Sequence, residues 1–241
     1  MKRIVTESYE ESSRILANLF GDVIRNTPHP LLGCATGSSP IGLYRFLAED
    51  YRAGKLDFSG VRTINLDEYA GLPRSHNQSF GYFMDRHLFS KVNIKEENIM
   101  LADGTGDAQE QCRRYDSFLA ENDIDILVLG IGGNGHIGFN EPAEFFTANT
   151  HVVELEEETM EANSRFFERR EDVPKKAITM GMAGIVRAKK VVLIASGPAK
   201  ADAIGRLFKD DRIDPMLPCS ILKVCRDATV IIDRELEAEM K

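Results

Sequence analysis

The chain has 241 residues and a formal net charge of −8, with 43% hydrophobic and 28% charged residues. This balance is ordinary for a globular protein with a full core, and the negative charge disfavours general binding to nucleic acid or anionic lipid. A chain of this length can form one undivided α/β domain. We therefore expect a single domain over residues 1–241.

The N-terminal sequence MKRIVTESYEES lacks the apolar core of a signal peptide, and no segment reaches about 18 uninterrupted apolar residues. We therefore expect a cytoplasmic protein that does not enter membranes. The four cysteines form no CxxC pair and no zinc-like spacing, so we expect reduced thiols and no metal site.

Apolar runs and amphipathic segments alternate from the start of the chain. ESYEESSRILANLFGDVIRNT carries one apolar stripe at spacings of three and four, which predicts a helix. HPLLGC then predicts a short buried strand and GCATGSSP a loop. IGLYRFLAEDYRAG predicts a helix that Ser39 caps, with Pro40 at its first position.

The same alternation continues to the end of the chain. Strands are predicted at VRTINL, IDILVLG, THVVEL, KAITM, KKVVLIAS and ATVIID, and helices at SFGYFMDRHLFSKV, DAQEQCRRYDSFLAEN, EEETMEANSRFF and GPAKADAIGRLF. Continuous Val/Ile/Leu runs between amphipathic helices are typical of a mostly parallel sheet with helices on both faces. Ligands of such α/β proteins bind at the carboxyl ends of the strands.

The loop after the first predicted strand is small and rich in hydroxyl groups. Thr36, Gly37, Ser38 and Ser39 precede a predicted helix, where backbone N–H groups and the helix dipole favour a phosphate. The loop lacks the GKS or GKT of a nucleotide P-loop. A plain strand-to-helix turn with a serine cap is the alternative.

Two neighbouring acids end the next predicted strand. INLDEYAGLP places Asp67 and Glu68 before a Gly-Leu-Pro turn. A carboxylate there can serve as a general base if a partly dry site adjusts its proton affinity. Acidic residues in a solvated turn are the more common alternative.

A glycine-rich loop, GIGGNGHIGFNEP, follows IDILVL and covers residues 130–142. Its first glycines read GxGxxG, as in dinucleotide-binding proteins. However, HIGFNEPAEFFTAN has no helical period and carries Pro142 where the helix should run, so we reject a nicotinamide site. We favour close backbone approach of a small ligand, with His136 and Glu141 beside it as a proton-transfer pair. A structural, hydrogen-bonded histidine is the alternative.

Two cations follow later predicted strands, Arg165 in EANSRFF and Lys200 in ASGPAKADAI. Together they would give an acidic protein the local positive field that a phosphate requires. Each residue taken singly is more often a surface charge.

Taken together, these motifs resemble those of the glucosamine-6-phosphate deaminase family. The matching segments are ATGSSPIGLY, NLDEYAGLP, GNGHIGFNEP, ANSRFF and the lysine of SGPAKADAI, in the family's order from about Val23 to about Asp233. The resemblance implies a Rossmann-like α/β fold. It also implies conversion of D-glucosamine 6-phosphate and water to D-fructose 6-phosphate and ammonia, with no cofactor.

The resemblance also implies a role for each site residue. Asp67 matches the base that moves a proton between C2 and C1 through an enolamine-type intermediate. His136 matches the group that assists ring opening, and Glu141 matches its carboxylate partner. The remaining matches bind phosphate or touch the sugar: Thr36, Gly37, Ser38, Gly130, Arg165 and Lys200.

Some members of this family have Asp where this chain has Asn134. We expect Asn134 to fix the imidazole of His136 by a hydrogen bond while withholding a negative charge. The ring-opening limb of the pH profile should then lie at lower pH than in members with Asp.

Allosteric members carry basic residues just after NEP and a longer C-terminal part. Here AEFFTANTHVVEL contains no Arg or Lys, and the chain ends at ELEAEMK. We expect hyperbolic kinetics and a monomer, with a homo-oligomer as the alternative, and a small-molecule substrate as the sole partner.

Three other functions fit parts of the pattern. A 6-phosphogluconolactonase or another sugar-phosphate isomerase would share the phosphate loop, and a galactosamine 6-phosphate enzyme would differ at one substrate hydroxyl. A non-catalytic sugar-phosphate sensor would have little need for Asp67, His136 and Glu141 together. The paired DEY and GHIGFNEP motifs favour the deaminase.

Overall fold

The computed structural model of the chain describes residues 1–155, 160, 167, 169 and 172–240. Within them the strands are β1 (Lys2–Thr6), β2 (Leu31–Cys34), β3 (Arg62–Asn65), β4 (Asp67–Ala70), β5 (Ile99–Met100), β6 (Ile126–Leu129), β7 (His151–Glu154), β8 (Lys176–Thr179), β9 (Val191–Ala195) and β10 (Ala228–Asp233). The α-helices there are α1 (Tyr9–Asn26), α2 (Ile41–Arg52), α3 (Phe80–His87), α4 (Ala108–Glu121), α5 (Met182–Arg187), α6 (Ala201–Lys209) and α7 (Arg234–Glu239).

The main sheet has the strand order β1-β10-β9-β6-β2-β3-β5, and every pairing in it is parallel. Its central strands are fully buried because helices cover them, and Leu127, Val192 and Ile231 are each 0% exposed. The predicted α/β fold with a mostly parallel sheet is confirmed. All strands of this sheet therefore direct their carboxyl ends, and the loops that follow, to one edge.

A second, three-stranded sheet has the order β4-β8-β7 and is antiparallel. The sequence pattern was misleading at this point, because THVVEL and KAITM do not join the parallel sheet. DEYA forms a strand although two of its four residues are acids, because both acids are buried and the Glu68 carboxylate accepts backbone hydrogen bonds. This strand carries Asp67 away from the carboxyl end of β3 and pairs it with Thr179.

A serine caps the first turn of two helices, α1 and α3, but not that of α2. Ser8 caps α1 and Ser79 caps α3, each accepting a backbone N–H three residues ahead. The predicted Ser39 cap of α2 is wrong, because Pro40 occupies the N-cap position and its side chain makes no cap hydrogen bond. The hydroxyl of Tyr9 accepts the N–H of Gly42 instead, at 2.8 Å.

Two other predictions concern the segment after β7 and the cysteines. The predicted helix EEETMEANSRFF and Arg165 lie outside the described residues, apart from single positions. All four cysteines are unpaired thiols. Across the described part of the chain, no helix is long and apolar enough to cross a membrane.

Candidate active site

Asp67 and Glu68 are buried side chains, 7% and 2% exposed. The Glu68 carboxylate accepts three backbone N–H groups, from Tyr69 (2.9 Å), Phe80 (2.9 Å) and Gly81 (2.8 Å). Two of these donors belong to the first turn of α3, so Glu68 ties β4 to that helix. The solvated-turn alternative for these acids is wrong.

The environment of Asp67 suits a proton acceptor. Burial, followed by the charge of Glu68, raises the pKa of Asp67 to about 8. Burial also raises the pKa of Glu68, but the three N–H bonds act in the opposite direction and favour its charged form. A general base works best when its pKa lies near the working pH, and Asp67 meets that condition.

His136 and Glu141 form the pair that the sequence predicted. The imidazole Nδ1 lies 3.1 Å from a carboxylate oxygen of Glu141, and the two side chains are 28% and 20% exposed. A carboxylate on Nδ1 orients the ring and leaves Nε2 for a substrate. A partly exposed imidazole that a carboxylate orients can transfer a proton to or from a bound molecule.

Asn134 holds this pair differently from the expectation. Its side-chain Nδ2 donates to Glu141 at 2.8 Å, and its Oδ1 accepts from the backbone N–H of His136 at 3.1 Å. The prediction that Asn134 forms a hydrogen bond with the imidazole ring is wrong. Asn134 therefore positions the carboxylate, and Glu141 positions the ring.

Replacing Asn134 by Asp should move the acid limb of kcat/KM to higher pH by about half a unit to one unit. A second carboxylate beside Glu141 adds negative charge that favours the protonated imidazole of His136. The measurement is the pH profile of kcat/KM for wild type and variant. Asn134→Ala, which removes the donor without adding charge, is the control, and superimposable acid limbs for wild type and Asn134→Asp would contradict the prediction.

The glycine-rich loop turns without forming a helix, which excludes the dinucleotide fingerprint. The backbone N–H of Gly132 donates to the carbonyl of His136 at 3.0 Å, and Gly135 and Gly138 have φ of 93° and 58°. A Cβ on Gly132 would lie 2.2 Å from the imidazole of His136. Because Gly132 has no side chain, the imidazole of His136 can occupy this space.

Asp67 lies beside this loop. A Cβ on Gly138 would be 3.3 Å from Oδ2 of Asp67 and 3.0 Å from the hydroxyl of Thr179. That hydroxyl also accepts the N–H of Phe139 at 3.1 Å, and Asn140 donates to the carbonyl of Met180 at 2.9 Å. β8 thus joins the Asp67 strand to the His136 loop.

An aromatic cluster packs the same elements together. The ring centroids of Tyr69 on β4 and Phe80 on α3 are 4.8 Å apart, and each ring lies 5.9 Å from Phe139 of the glycine-rich loop. Aromatic pairs at these separations stabilise the contact beyond the area that they bury.

The predicted phosphate-binding loops also adjoin. A Cβ on Gly130 would lie 3.6 Å from the hydroxyl of Ser39, and one on Gly133 would lie 3.4 Å from the carbonyl of Ala199. Lys200 follows in that turn, and partial burial lowers the pKa of its ammonium group. Residues 36–39, the glycine-rich loop and the Lys200 turn therefore form one continuous edge.

Residues 7–231 match a family described as glucosamine-6-phosphate isomerases/6-phosphogluconolactonase. The chain belongs to this family. A glucosamine-6-phosphate deaminase of Thermoanaerobacter sp. (strain X514) is 48% identical over 98% of this chain and 93% of its own length. One from Clostridium perfringens (strain 13 / Type A) is 44% identical over 100% of both chains.

Two solved structures have a similar fold. A monomeric glucosamine-6-phosphate deaminase superposes with a TM-score of 0.95 at 41% identity, over 99% of this chain and 100% of that chain. A 6-phosphogluconolactonase from Trypanosoma cruzi gives a TM-score of 0.77 at 20% identity, over 100% of this chain and 97% of its own. The second similarity concerns the fold alone.

Sequence reasoning missed what Glu68 and Tyr9 do in this site. Glu68 stands next to Asp67 in the sequence, but its partners on α3 are twelve and thirteen positions away. Tyr9 lies in an ordinary amphipathic helix, and its contacts with residues 38–42 are visible only in the folded chain.

Proposed function

We propose that the chain is a glucosamine-6-phosphate deaminase that converts D-glucosamine 6-phosphate and water to D-fructose 6-phosphate and ammonia. One observation carries the proposal: the buried carboxyl of Asp67 lies against the same loop that presents the His136–Glu141 pair. Relatives of that name, 44–48% identical over nearly the whole chain, support it.

The first step is opening of the sugar ring. In this step the ring oxygen gains a proton and the C1 hydroxyl loses one, so the C1–O5 bond breaks to give an aldehyde. His136 is placed to move this proton because its ring is partly exposed and Glu141 orients it through Nδ1. Glu141 also stabilises the imidazolium form when the ring carries the proton.

The second step is the shift of a proton from C2 to C1. The Asp67 carboxylate takes the C2 proton while O1 takes a proton from the ammonium group of the substrate, which gives an enolamine with a hydroxyl on C1. Asp67 then returns its proton to C1 and leaves an iminium at C2. Water adds to C2, one of its protons passes to the nitrogen, and the C2–N bond breaks to release ammonia and the proton that the ammonium group had carried. Burial strengthens Asp67 as a base, because the same desolvation that raises its pKa disfavours its charged form.

The third requirement is a phosphate anchor that holds the sugar in register for both steps. Thr36, Gly37 and Ser38 are at least partly exposed, and the Lys200 turn lies near the glycine-rich loop. We assign the phosphate to these residues, with Arg165 as a further ligand and Gly130 at the sugar. A remote anion anchor contributes binding energy that can be used to orient the reacting carbon atoms.

The direct test is ammonia release from glucosamine 6-phosphate by the purified chain. We expect turnover with this substrate and none with 6-phosphogluconolactone, and parallel assays with galactosamine 6-phosphate define the epimer. Lactone hydrolysis without ammonia release would contradict the proposal and favour a lactonase. Tight binding of glucosamine 6-phosphate without turnover would favour a sensor.

We propose in addition that the protein acts as a monomer with hyperbolic kinetics. A solved relative at 41% identity is described as monomeric, and residues 143–155 of this chain contain no Arg or Lys that could hold an anionic effector. Light scattering should give the mass of one chain. Sigmoidal rates that N-acetylglucosamine 6-phosphate relieves would contradict the proposal.

A further inference from the structure

The loop at residues 36–39 depends on a side chain from a different helix. Tyr9 is the first residue of α1, and its hydroxyl lies 3.1 Å from the carbonyl oxygens of both Ser38 and Ser39. The same hydroxyl accepts the N–H of Gly42 at 2.8 Å. One hydroxyl thus contacts both ends of the turn that leads into α2.

These contacts set the direction of the loop's peptide groups. The C=O and N–H of a trans peptide point in opposite directions, so a Ser38 carbonyl that faces Tyr9 turns the N–H of Ser39 away from Tyr9. Within the described residues, that N–H makes no hydrogen bond. The carbonyl oxygens of Ser38 and Ser39, which would repel an anion, therefore lie on the Tyr9 side, and the N–H of Ser39 points to the other side.

The start of α2 contributes little to anion binding by itself. Pro40 has no N–H, the N–H of Ile41 lies 3.4 Å from the Ser38 carbonyl, and the N–H of Gly42 donates to Tyr9. The loop before the helix supplies a further donor, the N–H of Ser39. The shape of this loop, which Tyr9 holds, therefore affects how well the segment can bind an anion.

Close packing between α1 and α2 keeps Tyr9 in place. A Cβ on Gly42 would lie 2.2 Å from the hydroxyl oxygen of Ser13, so the two helices meet where Gly42 leaves room. Ser8 caps α1 directly before Tyr9 and fixes the start of that helix. The packing of the two helices therefore holds the Tyr9 hydroxyl in one position beside the loop.

We propose that Tyr9 is a positioning residue that holds residues 38–42 in the conformation that binds the phosphate of the substrate. This inference rests on the proposed phosphate site. Tyr9 itself faces the carbonyl side of the loop and does not touch the phosphate. It acts on substrate affinity, and the proton-transfer steps at Asp67 and His136 proceed at their normal rate once the substrate is bound.

The test is Tyr9→Phe, which removes one oxygen atom and keeps the packing of the ring. The variant leaves the Gly42 N–H and a loop carbonyl without their partner, so we expect KM for glucosamine 6-phosphate to rise about tenfold. kcat should stay within about twofold, because the groups that move protons are unchanged. The dissociation constant of inorganic phosphate, measured by calorimetry, should rise by the same factor as KM.

Tyr51→Phe is the matched control. Tyr51 lies near the end of α2 and packs against the ring of Phe58, with centroids 6.2 Å apart, and its hydroxyl makes no hydrogen bond within the described residues. We expect wild-type KM, kcat and phosphate affinity for this variant.

Unchanged KM and phosphate affinity in Tyr9→Phe would overturn the inference, and so would a fall in kcat at constant KM. The phosphate measurement does not depend on turnover. If the wild type released no ammonia but Tyr9→Phe still bound phosphate more weakly, the proposed function would fail and the role of Tyr9 would stand.

Discussion

Replacing Asp67 by Asn is expected to lower kcat by about 10³-fold, within the range that loss of a general base produces. The substitution keeps the shape of the side chain but removes the oxygen anion that takes the C2 proton. Ammonia release measured at saturating glucosamine 6-phosphate reports this loss. A variant that retains more than about a tenth of the wild-type kcat would contradict the role of Asp67 as the base.

The same substitution is expected to stabilise the fold, and the gain should depend on pH. The pKa of Asp67 is raised to about 8 in the folded chain, whereas an unfolded Asp titrates near its ordinary value of 3.8. Between these two values the folded state binds more protons than the unfolded state, so wild-type stability falls as pH rises. An Asn side chain does not titrate, so the stability of the variant does not fall with pH for this reason.

The measurement is Tm as a function of pH for wild type and Asp67→Asn. The difference should widen from about pH 4 to about pH 8 and level off above that. Asp202→Asn is the control, because the Asp202 side chain is 81% exposed and its nearest Arg206 nitrogen lies at 3.9 Å. A pH-independent difference for Asp67→Asn would show that desolvation does not control this carboxyl.

The second large effect is expected from Gly132→Ala. The added methyl group would lie 2.2 to 2.5 Å from three atoms of the His136 ring, so the ring must move. The ring is partly exposed and can move at little cost in stability, but it then leaves its position on Glu141. A displacement of this size can lower the rate by about 10²-fold.

Gly133→Ala is the neighbouring control, because among the described residues its new methyl group would meet the Ala199 carbonyl oxygen alone, at 3.4 Å. We expect Gly132→Ala to lose kcat/KM with a small change in Tm, and Gly133→Ala to retain most activity. Equal activities of the two variants would show that the position of the His136 ring does not limit the reaction.

The parallel sheet could be predicted from the sequence because its strands are continuous apolar runs. The fully buried strands β6 and β9 correspond to the apolar runs IDILVL and KKVVLIAS. The second sheet could not be predicted from the sequence, because β4 begins with two acids and pairs with a strand that lies far away along the chain. Burial of Glu68 depends on N–H donors from α3, which no local pattern shows.

The site was predicted in part for a similar reason. His136 and Glu141 are five positions apart on one glycine-rich loop, so their contact follows from local sequence. The partner of Asn134 could not be predicted, because its side chain reaches either the ring or the carboxylate depending on how the loop turns at Gly135. The roles of Asp67, His136 and the phosphate ligands, like the single-domain organisation, remain predictions for the experiments above.

The most direct test of one shared site is a crystal structure of Asp67→Asn with glucosamine 6-phosphate bound. We predict the phosphate on residues 36–39 and Lys200, the sugar C2 about 3 to 3.5 Å from the residue 67 side chain, and the ring oxygen within hydrogen-bond reach of His136. A sugar phosphate bound elsewhere, or one that touches only one of these two residues, would contradict the account.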